Sequence, residues 1–481
     1  MRRIATTLCL MAAVAAAEED LMPKLRAALV KVSTTSQGFD NTSPWKKTRV
    51  GNSIGRGVVV APGVILTLAR NVRNARMIEV MVANSARRYP AKLKHIDPRM
   101  DLALVEITDE KLREQMKPLE LGESVKLDDE FDLYELGQDN MVERSTARVV
   151  RADASPTILS MRLQTTGTTG GNGQVAIKDG KLIGLLTSRS RQQGQLMSIE
   201  SVGKYLKDHE DGTYHGCPGE SVWIQTLLRE DLREFYGLKP DQHGLAVVRT
   251  VAGRTGEGVL QARDVILAVD GYDVDDEGMF EHERHGRLSA SWLFQGRRYP
   301  GDKMKIKVLR GGKEMELELE LKAWPDTARS VPSGPGKGRP QYLVTGGLVI
   351  LELHERVYIP RSPGGVFLRR YREREGWDAA GKRRRYVYVD RVFADDSNKG
   401  FEGLRFTPIV RVNGMEITEI ADVAKALETP KDKFHVFEFE GVASDYVIAA
   451  DQLTEIDKRV AENYRIPKMR HLRGDSSGED E

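Results

Sequence analysis

The chain has 481 residues, 40% of them hydrophobic and 30% charged, the proportions of an ordinary folded protein. That length exceeds what one core sustains, so about three domains are expected. A net charge of +2 excludes a nucleic-acid partner recognised through overall basicity.

Arg2-Arg3, the apolar run Ile4 to Val14 and Ala15-Ala16-Ala17 read as a cleavable secretory signal over 1–17. The run is too short to span a bilayer, and no later stretch is apolar enough to be an integral membrane segment. A secreted or periplasmic location follows. Cys9 leaves with the signal, so Cys217 has no partner for an intrachain disulfide.

Asp20 to Val32 reads as a short helix entering a first strand at Ala28–Ser33. The loop Thr35–Arg49 carries Pro44-Trp45, with the indole expected to pack within the loop. Gly55-Arg56-Gly57 opens two β-branched runs joined by Ala61-Pro62-Gly63, a hairpin because Pro fixes φ and Gly accepts φ > 0. Leu68 to Val72, a strand Met77–Val82 and Asp97-Pro98-Arg99-Met100-Asp101-Leu102-Ala103-Leu104 follow. Weaker strands are expected at Leu119–Gly122, Phe131–Gly137 and Ser145–Val150. Thr165-Thr166-Gly167-Thr168-Thr169-Gly170-Gly171-Asn172 then leads into strands at Gln174–Ile177 and Lys181–Thr187. Gly212 to Ile224 and Leu260 to Gly271 begin a new pattern. Pro325–Pro340 reads as a linker, and Gln341–Val349, Val389–Phe401 and Ile409–Gly414 form a second pattern of the same kind.

In this order the motifs resemble the Deg/HtrA family, nearest its plant organellar branch. The resemblance implies a mainly β chain: a chymotrypsin/trypsin-like double β-barrel followed by two PDZ domains. Its divisions are a signal at 1–17, a protease-like domain at 18–212, a first PDZ domain at 213–324 and the linker at 325–340. A second PDZ-like domain covers 341–450, and a C-terminal helix with a polar tail covers 451–481. It also implies a homo-oligomer, trimeric or larger. No metal-ligand spacing or phosphate loop is present, so no metal and no cofactor is expected.

The catalytic pattern departs from the family. Arg70 stands where the family has its His, and Asp101 where it has the orienting Asp. One alignment puts Thr169 at the nucleophile, with Gly167, Thr168 and Thr169 as the oxyanion loop and a connecting loop missing before Gly167. The other sets Gly171-Asn172-Gly173 on Gly-Asn-Ser and leaves no hydroxyl. A guanidinium stays protonated and cannot act as general base, and threonine nucleophiles rely on an N-terminal amine. Arg70 and Asp101 are expected to pair instead, at a cost of roughly 1–4 kcal/mol if one partner is lost from a partly buried pair. His95 reads as an ordinary strand residue. Capture of peptide C-termini is placed by the resemblance at Pro218, Gly219, Glu220, Ser221 and Val222, continuing into Trp223 and Ile224. Glu220-Ser221 replaces the family's Leu-Gly there. The Arg- and Lys-rich stretch Arg369–Arg385 reads as a solvated insertion rather than a nucleic-acid surface. The reading is a pseudoprotease that binds polypeptides; the alternative is a working serine-type endopeptidase with an altered site.

Overall fold

The computed structural model describes residues 21–166, 171–219, 222–251, 253–323, 328–334, 338–373 and 384–475. The expected signal, Gly167, Thr168, Thr169, Glu220, Ser221, most of the basic insertion and the end of the tail lie outside the described residues.

Six strands close a first barrel: β1 (Leu29–Ser36), β2 (Gly51–Ala61), β3 (Val64–Leu68), β4 (Ala75–Val82), β5 (Tyr89–Asp97) and β6 (Leu102–Ile107). Alternation along these strands buries Val30, Val32, Val59, Ile65, Val80, Val105 and Ile107 in one cluster. The β2–β3 hairpin forms as its Pro-Gly turn dictates, with Val59 opposite Ile65. Gly55 is required by close approach, because a Cβ there would lie 2.3 Å from the Asn71 side chain.

The second barrel comprises β7 (Glu130–Leu136), β8 (Val142–Ala154), β9 (Leu159–Thr165), β10 (Val175–Lys178), β11 (Lys181–Ser190) and β12 (Gln193–Ser198). The helix Ile199–Lys207 follows, and its N-cap Ser198 accepts from the Ser201 amide. The strand expected at 119–122 is reduced to one bridge, Leu121 with Leu182.

A third sheet runs in the order Val222–Thr226, Leu245–Thr250, Val265–Val269, Lys303–Arg310, Lys313–Glu320, and between its third and fourth strands come a separate hairpin, Met279–His282 with Gly286–Ser289, and the helix Ser291–Gln295. Its core is continuous with the second barrel: Leu163 and Leu196 share a cluster with Val247, Trp292 and Met304. Polar contacts reinforce the join. The fully buried His285 ring sets Nε2 3.0 Å from Glu200, and Tyr299 donates to the Lys204 carbonyl at 3.0 Å. The two barrels and this module accordingly form one compact unit.

The second unit groups 37–49, 251–253 and 324–481. Its sheet runs Tyr446–Ala449, Phe434–Phe439, Thr407–Val412, Val387–Val392, Leu348–Glu352, Tyr342–Thr345, Arg470–His471. Trp45 does more than pack its own loop. It is buried in this unit's core, with ring centroids 5.6 Å from Tyr342 and 6.0 Å from Phe393. The C-terminal helix Leu453–Tyr464 also belongs here, burying Ile456 and Val460. Arg459 pairs with Asp395 at 2.9 Å, and Asp457 accepts from the Gly346 amide at 2.6 Å and the Thr345 hydroxyl at 3.1 Å.

Those two carboxylates respond to pH in opposite senses. The hydrogen bond from Arg459 holds the Asp395 carboxyl down to about 2, while desolvation lifts that of Asp457 to about 6. A depressed carboxyl stabilises above its unfolded value of 3.8 and loses that contribution as pH falls toward 2. A raised one stabilises below 3.8 and loses it as pH rises through about 6. Helix docking should therefore be tightest near pH 4, weakening as pH falls toward about 2 and as it rises toward about 6. Amide exchange of the helix, corrected for its intrinsic pH dependence, would show this maximum; a flat profile would contradict it.

Candidate functional site

Arg70 lies on the short helix Ala69–Val72 that follows β3, and Asp101 in the turn between β5 and β6 with φ of 53°. The expected pair forms. Arg70 sets Nε 2.7 Å and Nη2 2.5 Å from Asp101 Oδ2, and its own amide donates to Oδ1 at 3.1 Å. Nη1 then crosses to the Thr187 carbonyl of β11 at 3.3 Å. The Arg70 side chain is 46% exposed and that of Asp101 17%, so the pair is of the surface type. Such pairs contribute about 0–1 kcal/mol, less than the cost expected for a buried one.

Thr169 lies outside the described residues, but both ends of its loop are held by side chains that sequence reasoning passed over. On one side Arg189 donates to the Thr166 carbonyl at 2.7 Å and to Gln174 Oε1 at 2.8 Å. On the other, Arg56 lies against Gly171, where a Cβ would fall 2.1 Å from its Nη1. Arg56 pairs with Glu135 at 2.6 Å, and Gln174 donates to the same carboxylate at 2.7 Å. Glu135 is 3% exposed, so this is a buried network joining β2 of the first barrel to β7 and β11 of the second. It brackets the loop with guanidinium groups, which donate protons but do not accept them. Gly173 bonds through its amide to the Leu186 carbonyl at 2.6 Å, and Asn172 is exposed. His95 is engaged elsewhere, with Nδ1 2.9 Å from the Tyr205 hydroxyl.

The expected peptide-capture residues lead into a groove. Among the described residues, Val222–Thr226 is the edge strand of its sheet, with one side left for a further strand. Val222 and Ile224 line an apolar pocket with Leu245 and Phe294 of their own module and Pro156 of the second barrel. Its volume of about 180 Å³ suits one side chain better than a drug-sized ligand. Trp223 points the other way, beneath the Arg249 guanidinium. The Gly219 amide is already spent on the Lys322 carbonyl at 3.1 Å, and Pro218 bridges Ala323. Any carboxylate captured here must rely on later amides.

Comparison with known proteins agrees with this architecture. Residues 55–185 match a trypsin-like peptidase domain, and 331–471 match a PDZ domain. Protease Do-like 2, chloroplastic, of Arabidopsis thaliana is 26% identical over 459 residues, covering 92% of this chain and 74% of that protein. The chain is a Deg/HtrA homologue. Among its other Deg/HtrA relatives is a probable periplasmic serine endoprotease, DegP-like, of Halomonas elongata, 26% identical over 328 residues (65% of each chain). A single-substitution variant of the HtrA-type protease AlgW, solved with a decapeptide, shares the fold at 19% identity and a TM-score of 0.50, covering 66% of this chain and 99% of that one.

The two charge clusters should differ in weight. Arg70→Ala is expected to lower stability by at most about 1 kcal/mol. Glu135→Ala, which strands Arg56 within the network, should cost about 3 kcal/mol. Denaturant unfolding of both variants decides it: equal effects would mean that the Glu135 pair carries no special load.

Proposed function

We propose that the chain is a catalytically inert Deg/HtrA relative that binds exposed polypeptide or protein C-termini, in a chaperone-like or scaffolding role in protein quality control. The observation that carries this reading is Arg70. At the position of the family's base it is tied to Asp101 and Thr187, so a permanent cation replaces the proton acceptor of acyl transfer. The bracketing of 166 and 171 by Arg189 and Arg56 supports it. So does the edge strand Val222–Thr226 beside an apolar pocket, the arrangement by which peptides add to a sheet. Secretion or a periplasmic location, by way of residues 1–17, and assembly into trimers or larger oligomers belong to the same proposal. A working endopeptidase with a rebuilt site is the second reading, favoured by the hydroxyl of Thr169.

Purified mature protein should not turn over unfolded casein above background. Casein cleavage that disappears in Thr169→Ala would establish the second reading instead. Arg70→His with Thr169→Ser should stay inactive, because Arg56, Arg189 and the shortened connection before Gly167 persist, and catalysis needs groups placed to about 0.5 Å. Casein cleavage by that double variant would show the scaffold still competent. Ile224→Lys, a charge in the lining of the pocket, should weaken binding of peptides with free C-termini about tenfold or more.

A further inference from the structure

The two modules that follow the barrels trace the same path. In the first, Val222–Thr226 pairs with Leu245–Thr250, that with Val265–Val269, then Lys303–Arg310 and Lys313–Glu320. In the second, Leu348–Glu352 pairs with Val387–Val392, that with Thr407–Val412, then Phe434–Phe439 and Tyr446–Ala449. Short strands Tyr272–Asp273 and Met415–Glu416 branch from the third strand of each, and helices Ser291–Gln295 and Ile420–Ala426 follow them. Val222–Thr226 and Leu348–Glu352 therefore hold equivalent positions.

The difference lies on one side of that strand. In the first module no strand pairs there among the described residues, and it is the open edge. In the second the edge is filled by Tyr342–Thr345, antiparallel, with Tyr342 opposite Leu351 and Thr345 opposite Leu348. An added peptide would lie on this edge, its C-terminus at the start of the receiving strand. Tyr342, Leu343, Val344 and Thr345 are all buried, and Arg470–His471 covers their outer side. The turn Gly346-Gly347 that makes the filling possible has φ of 55° and 81°, the two-residue hairpin geometry that favours glycine. A carboxylate is supplied as well: Asp457 takes the Gly346 amide in the turn preceding the receiving strand.

We propose that the second module is a PDZ-type peptide site occupied by its own chain, with Tyr342–Thr345 as the strand and Asp457 as the carboxylate. Its ligand class would be an extended peptide with a free C-terminal carboxylate. A tethered occupant acts at an effective concentration of about a millimolar, which excludes free peptides of ordinary affinity. Peptide capture by the whole chain then falls to the first module alone. This inference rests on the second unit and does not depend on whether the first module binds.

Two measurements on the full-length chain test it. The probe for the first is a decapeptide pool carrying a photo-crosslinker, with free carboxylates in one sample and amidated ends in another. Crosslinks should map to the first module only and be lost in Ile224→Lys. Crosslinks on 348–352 or 420–426 in the unaltered chain would overturn the proposal. The second is amide exchange without peptide. Tyr342–Thr345 should be as protected as Val387–Val392, and Asp457→Ala should speed exchange at Gly346 about tenfold. Should that variant fail to fold, Asp457→Asn, which keeps an acceptor but no charge, should give a smaller rise. Unprotected 342–345 amides, or a Gly346 rate unmoved by a folded variant at position 457, would sink self-occupancy. A chain that crosslinks nowhere yet shows the exchange pattern would refute peptide capture by the first module while upholding this inference.

Discussion

The pairing of Arg56 with Glu135 is the constraint on which the region between the barrels depends. A carboxylate 3% exposed cannot stand unpartnered in that environment, and a guanidinium delivered from β2 of the opposite barrel supplies the partner. Gln174 shares the carboxylate and passes the connection to Arg189, which ends on the Thr166 carbonyl. Buried side-chain networks of this kind couple the elements they span. Here they join the two barrels to each other and to both ends of the loop where the family keeps its nucleophile.

That network and the Arg70–Asp101 pair change what the cleft can do. Cleavage by this fold needs a group that gains and loses a proton beside a substrate carbonyl. The cleft instead carries three guanidinium groups, fixed by an ion pair to Glu135 and by hydrogen bonds to Asp101, Gln174 and two backbone carbonyls. Binding is not impaired by the same facts. The groove beside Val222–Thr226 draws one lining residue, Pro156, from the second barrel, so that barrel helps to shape the groove. The shared apolar core and the buried His285 contact keep that geometry fixed.

Much of this was legible in the residues. Alternating β-branched runs and the Pro-Gly turn marked most of the expected strands to within a few residues, since those signals are local, while the double barrel was implied by the family resemblance of the motifs. The pairing of Arg70 with Asp101, 31 positions away but framed by a recognisable motif, was equally legible.

Tertiary structure alone decided the rest, because those outcomes depend on which distant residues meet. Arg56 and Glu135 are unremarkable strand residues until barrel docking buries them together. Trp45, in a loop of the first barrel's sequence, enters the core of a module whose strands begin nearly 300 positions later. The exposure of the Arg70 pair, which sets its energetic weight, is likewise a property of the assembled surface. The two C-terminal modules read alike along the chain, yet one ends in an open edge and the other is closed by Tyr342–Thr345 and Asp457. Sequence periodicity states which residues form a strand; only the packed sheet states what lies beside it.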